Sequence, residues 1–331
     1  MGNQQPPKRR KSTHENSPQR FPQQTSSFLE TPVNIIDIDK ENVLSAPHGV
    51  AFEPNHKLIV VSVTNSRCLQ CWSLQDKEPE YLFGYGTVGR KNGALGFPEG
   101  VCFQPGSNNL IVTDEHRVQV FYVPETRCSS SDPVTHLFTL GACTDKDEHE
   151  PGRFNNPRGV CCTARGDIIV ADSCNHRMQK FDCKGRYVRA FGSRGDGNNQ
   201  FQFPHGVCVQ EDAEASRMII TDSCNNRLSV WSVDGSQRIL TVPVQRDPRG
   251  ICNDLHSHRI VVSCGNRCDT IKVFDAKTKN EWKVVQHLGS SGSQPGLFNC
   301  PYGMCIDDRG VLAVTDLFNH RVQLFQTAAR K

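Results

Sequence analysis

Pro157-Arg158-Gly159-Val160 is the third of six matching signatures, each a proline, one variable residue, a glycine and then Val, Ile or Met. The others are Pro47-His48-Gly49-Val50, Pro98-Glu99-Gly100-Val101, Pro204-His205-Gly206-Val207, Pro248-Arg249-Gly250-Ile251 and Pro301-Tyr302-Gly303-Met304. Successive copies lie 51, 59, 47, 44 and 53 residues apart. Such an interval is the period of a propeller blade or a long solenoid unit. Function is therefore expected on a repeated surface, and no single catalytic motif is needed.

Outward from each signature, a turn leads to a second apolar run, such as Leu58-Ile59-Val60-Val61, Leu110-Ile111-Val112 or Ile168-Ile169-Val170. These runs are short, β-branched and bounded by Gly, Asn or Asp, which favours strands over helices. A third segment ends on an aromatic residue, as in Gln179-Lys180-Phe181 and Ser229-Val230-Trp231. A fourth runs into glycine, as in Ala190-Phe191-Gly192. Four strands per unit, six times over, predict an all-β, six-bladed β-propeller. After Phe325 only six residues remain, so the last unit lacks its fourth strand. Val33 to Ile38 is a spare strand before the first unit, and it is expected to close the ring on blade six and cover an otherwise unpaired edge. The domains expected are a disordered basic tail, 1–28, and a propeller, 29–331.

Asp172-Ser173-Cys174-Asn175-His176-Arg177-Met178-Gln179-Lys180-Phe181 and Asp316-Leu317-Phe318-Asn319-His320-Arg321-Val322-Gln323-Leu324-Phe325 resemble the core of the NHL repeat. Asp222 to Trp231 is similar, with Asn226 at the histidine position. The chain as a whole resembles the C-terminal NHL domain of tripartite-motif proteins. Blade one departs from the pattern, with Val63 for the Asp and Cys68 for the Arg, and the fifth unit also lacks the Asp. The joint loss suggests that Asp114, Asp172, Asp222 and Asp316 bond Arg117, Arg177, Arg227 and Arg321 to pin tight turns, a structural duty that charge-assisted bonds serve well.

The formal charge of +3 divides unevenly. Lys8, Arg9, Arg10, Lys11 and Arg20 against Glu15 give the first 28 residues +4, leaving the propeller −1. A nucleic-acid site would have to be a local patch. Pro, Gln and Ser abound in that tail, as in disordered segments. No signal-peptide run or membrane-length apolar stretch is visible, which predicts a soluble cytoplasmic protein, with the Lys8 to Lys11 cluster allowing a nuclear one.

The chain has 16 cysteines. Cys102, Cys161, Cys208, Cys252 and Cys305 follow the same Pro-x-Gly-apolar step, where blade one has Ala51, and so read as small buried hydrophobes. Equivalent positions in different blades are expected to be too far apart for disulfides. Cys68-Leu69-Gln70-Cys71 has the spacing of a zinc knuckle but no second pair, so neither a metal nor a cofactor is expected. Unpaired thiols point to a reducing compartment.

The loop before the innermost strand and the loop between strands two and three fall on one face of a blade. The variable residues there form a ring: His48, Glu99, Arg158, His205, Arg249 and Tyr302. Arginines, histidines and aromatics suit the stacking and edge-bonding by which single-stranded RNA is read. In tripartite-motif NHL proteins that bind RNA this is the binding face, so the resemblance implies the same. Arg158, Arg249, His205 and Tyr302 are the expected principal contacts, Tyr302 as a stacking surface, with His48, Asn156 and Phe203 beside them. No DNA or membrane partner is expected. The alternative is a protein or peptide on the same face, the propeller serving as the substrate-recognition module of a ubiquitin-ligase assembly whose RING comes from elsewhere. A more distant alternative is a peptide-amidating lyase, whose channel histidines and zinc would require His48 and His205 to meet across the disc. The sequence holds none of the Gly-x-Ser-x-Gly, Walker or His-Glu-x-x-His motifs.

Overall fold

The computed structural model of the chain describes residues 27–37, 44–124, 134–141, 149–211, 216–254, 256–265, 268–278 and 281–327. Alternating β-branched runs and tight turns produce six four-stranded antiparallel sheets, each one blade. Blade three, for example, pairs Pro157–Cys162, Ile168–Asp172, Arg177–Phe181 and Tyr187–Phe191 in order. Second strands such as Leu58–Val63 are buried along their length, whereas fourth strands such as Lys283–Leu288 are largely exposed. Apolar side chains of neighbouring blades interdigitate at each joint. Cys208, Ile219 and Val230 of blade four meet Ile251, Ile260, Val262 and Phe274 of blade five. Each such Val or Ile contributes about 1.5–3 kcal/mol by leaving water.

Blade six is completed from the start of the chain. Asn34–Ile36 lies antiparallel on Arg321–Gln326, with Asn34 opposite Leu324 and Ile36 opposite Val322. The pairing is as the sequence predicts, although Ile38 lies outside the described residues. Ordered packing begins before residue 29. Phe28 is buried, bridges to Thr327, and has its main chain held on both sides by the Gln286 amide, at 3.0 and 2.9 Å. The expected disordered tail otherwise lies outside the described residues.

The Pro-x-Gly signature is a bulge. In all six blades the register of the first and second strands shifts between the proline and the residue after glycine. A Cβ on Gly49, Gly100, Gly159, Gly206, Gly250 or Gly303 would collide with the carbonyl oxygen of the variable residue in the following blade. Glycine is needed because the inner strands approach so closely there. A hydroxyl on the second strand closes five of the six contacts. Thr113 Oγ1 accepts from Gly100 N at 2.8 Å and donates to Arg158 O at 2.6 Å. Ser62, Thr221, Ser263 and Thr315 repeat this, the last reaching His48 O and closing the circle. Blade three has Ala171 at that position.

Candidate ligand-binding face

The Asp–Arg pairs form as expected, and each serves a larger network. Asp172 accepts Asn155 N at 2.8 Å, Asn175 Nδ2 at 3.0 Å, Arg177 Nε at 2.8 Å and Gln179 Nε2 at 2.9 Å. Arg177 also bonds the carbonyls of His149, Glu150 and Arg153, fixing the loop that leads to Pro157. Burial raises the Asp172 carboxyl, while the bonds from Asn155, Asn175 and Arg177 oppose the shift. Arg117–Asp114, Arg227–Asp222 and Arg321–Asp316 repeat the pairing at 2.9, 2.7 and 2.8 Å. The Asn and His of the motif close single 3₁₀ turns, whose last residue (His176, Asn226 or His320) is left-handed, with φ of 55°, 52° and 56°. That residue then accepts a main-chain N–H from the next blade: His176 Nδ1 from Phe203, Asn226 Oδ1 from Asp247, His320 Nδ1 from Ala46. Sequence reading missed this clip and the glutamine bond, although the recurring Gln119, Gln179 and Gln323 were in view.

The ring of variable residues converges further than expected. Tyr302 of blade six touches the equivalent residue of every other blade. Its hydroxyl accepts Arg158 Nη1 and lies 2.6 Å from His205 Nε2 and 3.2 Å from Glu99 Oε2. Its ring packs edge-on against His48 and His205, each at 4.6 Å, and carries the Arg249 guanidinium 5.8 Å from its centroid. Arg158 pairs with Glu99 at 2.8 Å and Arg249 with Asp247 at 2.7 Å. Burial, together with Arg158, Arg249 and His48, holds the His205 imidazole well below its usual range, so it is neutral. Burial and the Glu99 carboxylate push the Tyr302 phenol up.

One expectation needs correction. Tyr302 and His205 are only 7% and 5% exposed, so neither is an open stacking surface; they plug the axis because each finds its polar partners inside the ring. Arg158 belongs to the scaffold as well, since removing it would strip Glu99 and Tyr302 of a buried partner. His48 and His205, from opposite blades, are both held on the Tyr302 ring.

Beside the hub, Arg158, His205, Arg249 and Phe203 line a cleft of about 240 Å³ with Ser173, Cys174, Ser223, Cys224 and Asp247. The cleft thus gathers four of the residues expected from sequence, and His48, Tyr302 and Asn156 lie outside its lining. Asn156 is half-buried and left-handed, with φ of 49°. Phe203 is 39% exposed, and on the same loop system Phe97 and Phe318 are 44% and 59% exposed. The Arg67 guanidinium stands 4.9 Å over the Phe97 ring. The face therefore offers guanidinium groups beside accessible aromatic rings. No helix among the described residues is long and apolar enough to cross a membrane.

Residues 154–181 match the NHL repeat family. The Drosophila melanogaster protein brain tumor is 35% identical over 115 residues, covering 34% of this chain and 11% of that protein. Human E3 ubiquitin-protein ligase TRIM32 is 30% identical over 93 residues, 26% of this chain and 14% of that one. A probable peptidyl-alpha-hydroxyglycine alpha-amidating lyase, pgal-1 of Caenorhabditis elegans, is 30% identical over 97 residues, 28% and 27% of the two chains. The matched stretches span well under two thirds of these relatives. A chain in the crystal structure of the mitotic checkpoint complex superposes with a TM-score of 0.60 at 11% identity, over 99% of this chain and 98% of that chain, a likeness of fold alone.

Proposed function

We propose that this NHL-repeat β-propeller, which resembles the tripartite-motif NHL proteins, is a non-enzymatic module that binds single-stranded RNA on its Pro-x-Gly face. The observation that carries this reading is the cleft in which Arg158 and Arg249 meet the exposed Phe203. Arg249 offers its guanidinium to a phosphate or a base edge, and Phe203 offers a face to a base. Phe97 under Arg67 and Phe318 extend the stacking surface to blades two and six. Asp247 and Glu99 offset much of the arginine charge, so base stacking carries more of the affinity here than phosphate attraction does.

The test is selection from a random RNA pool, followed by titration of the winner against Phe203→Ala and Arg249→Ala. Each is expected to weaken binding by about 1–3 kcal/mol, with affinity falling as salt rises. Failure to enrich any RNA, or variants that bind as the parent does, would place the function elsewhere. The likeness to TRIM32 favours a second reading, in which the same cleft holds a peptide of a ubiquitin-ligase substrate or partner. In that case Phe203→Ala would abolish protein capture and leave RNA binding unmoved.

A further inference from the structure

Below the Tyr302 hub the axis widens into a cavity of about 330 Å³ whose wall includes Cys102, Cys161, Cys162, Cys208, Cys252 and Cys305. Its lower lining includes Phe52, His56 and Asp308, the last with a mostly exposed side chain. Five of these cysteines share one step of the repeat, and the role of a small buried hydrophobe accounts for them. Cys162 is different. It lies opposite Ile168, at the register where blades one, two and four have Phe52, Phe103 and Val209. Being one residue beyond Cys161, it faces the other side of its blade and meets Cys102 across the joint between blades two and three, with the sulfurs 3.9 Å apart. Both pack on the apolar cluster that contains Ile111, Val160 and Ile168.

We propose that Cys102 and Cys162 form a binding site for a soft monovalent cation of the copper(I) class, reached through the axial cavity. Thiolate ligands select such ions over harder ones. Metal–sulfur bonds of about 2.3 Å let two sulfurs up to about 4.6 Å apart share one ion, so the observed spacing brackets it without moving the backbone. Zinc would need four ligands. Among the described residues no third His, Cys or carboxylate is placed with this pair; the single three-membered cluster is His56, Asp307 and Asp308. The hydrogen bond to Cys162 and burial push the Cys102 thiol well above its usual range, so Cys102 keeps its proton at rest. On binding, two sulfur–metal bonds form, one thiol proton leaves to solvent, and no electron moves. The cation, one thiolate and one thiol are together neutral, which suits an apolar wall.

The experiment uses the full, reduced chain with Cys128, Cys143, Cys183 and Cys224 changed to Ser, titrated without oxygen against the copper(I) complex of bicinchoninate. The expected result is withdrawal of one equivalent of copper, tightening about tenfold per pH unit as the displaced proton becomes easier to lose. Cys102→Val with Cys162→Val should weaken it roughly 100-fold, and Cys208→Val with Cys252→Val should not. Cys162→Val alone, which installs the residue type of blade four, serves if the double variant fails to fold. Copper left wholly with the chelator would overturn the proposal. So would equal weakening by both double variants, or a mass lower by two hydrogens, which would show that the pair closes as a disulfide.

Discussion

In blade three the corner between the second and third strands is built on Asp172, with Asn175, Arg177 and Gln179 bonded to its carboxylate. In blade one the same corner pairs Val63 with Cys68, and Val63 is fully buried in an apolar cluster with Ile36, Leu44 and Trp72. Its turn still ends in a left-handed residue, Arg67 with φ of 52°, but this guanidinium points outward and stacks on Phe97. The fold therefore accepts either a satisfied ionic corner or an apolar one. In blade one the left-handed position that His176 holds in blade three carries an arginine instead, and it reaches the Phe97 ring.

The largest effect should come from half-converting one corner into the other. Asp172→Val leaves Arg177, Asn175 and Gln179 facing no carboxylate in a buried site, and is expected to cost about 3–5 kcal/mol. Val63→Ala in blade one removes only packing and should cost about 2 kcal/mol. Urea unfolding of both variants measures the difference. Equal losses would mean that the ionic corner is worth no more than its volume, and the comparison would fail.

A second contrast lies in the interblade clips, where His176 and Asn226 do the same work with and without a titratable ring. Burial, with Arg194 nearby, holds His176 below its usual value; His48 and His205 are also lowered, His205 the most. The unfolded chain therefore takes up protons first. Stability should be full above about pH 6.5 and decline as the pH falls through that value, levelling off only below the folded-state pKa values. His205 should contribute a slope near the single-group limit of about 1.4 kcal/mol per pH unit. His176→Asn copies blade four and should flatten the profile by a smaller amount. Melting curves between pH 5 and 8 read this directly, and a His176→Asn profile parallel to the parent would show that the clip does not titrate.

The propeller was legible in the sequence because its strands, turns and missing sixth-blade strand are all local patterns with a fixed period. The Asp–Arg pairs were legible for the same reason, being lost together in blade one. The ring was legible only as a list of residues. Its side chains meet across the axis, and no spacing along the chain indicates that Tyr302 will be the one to fill the centre and bury His205. Cys162 escaped notice because its partner, Cys102, is in another blade, and because the regular cysteine position beside it supplied a sufficient explanation. Ala171 was hidden differently: the residue before each aspartate looked variable, whereas its hydroxyl is the common feature.

The smallest predicted effect concerns that position. Four joints on the ring beside blade three's carry a hydroxyl that bridges a glycine N–H to the carbonyl of the next blade's variable residue, as does the closing joint from Thr315 to His48. The two neighbours of blade three illustrate it: Thr113 bonds Gly100 N and Arg158 O, and Thr221 bonds Gly206 N and Arg249 O. At the joint between blades three and four, Ala171 offers no such group to Gly159 N and His205 O. The variable residue on the far side is His205, which lines the proposed RNA cleft. Ala171→Thr should add the missing bridge and stabilise the protein by about 1 kcal/mol, while Thr221→Val should remove its counterpart at a similar cost. Paired urea titrations compare the two. A stabilised Ala171→Thr protein that also binds RNA more weakly would show that the cleft draws on the looseness of this joint. A destabilised one would show that the space beside Met178 is already filled, so that the alanine is there for packing.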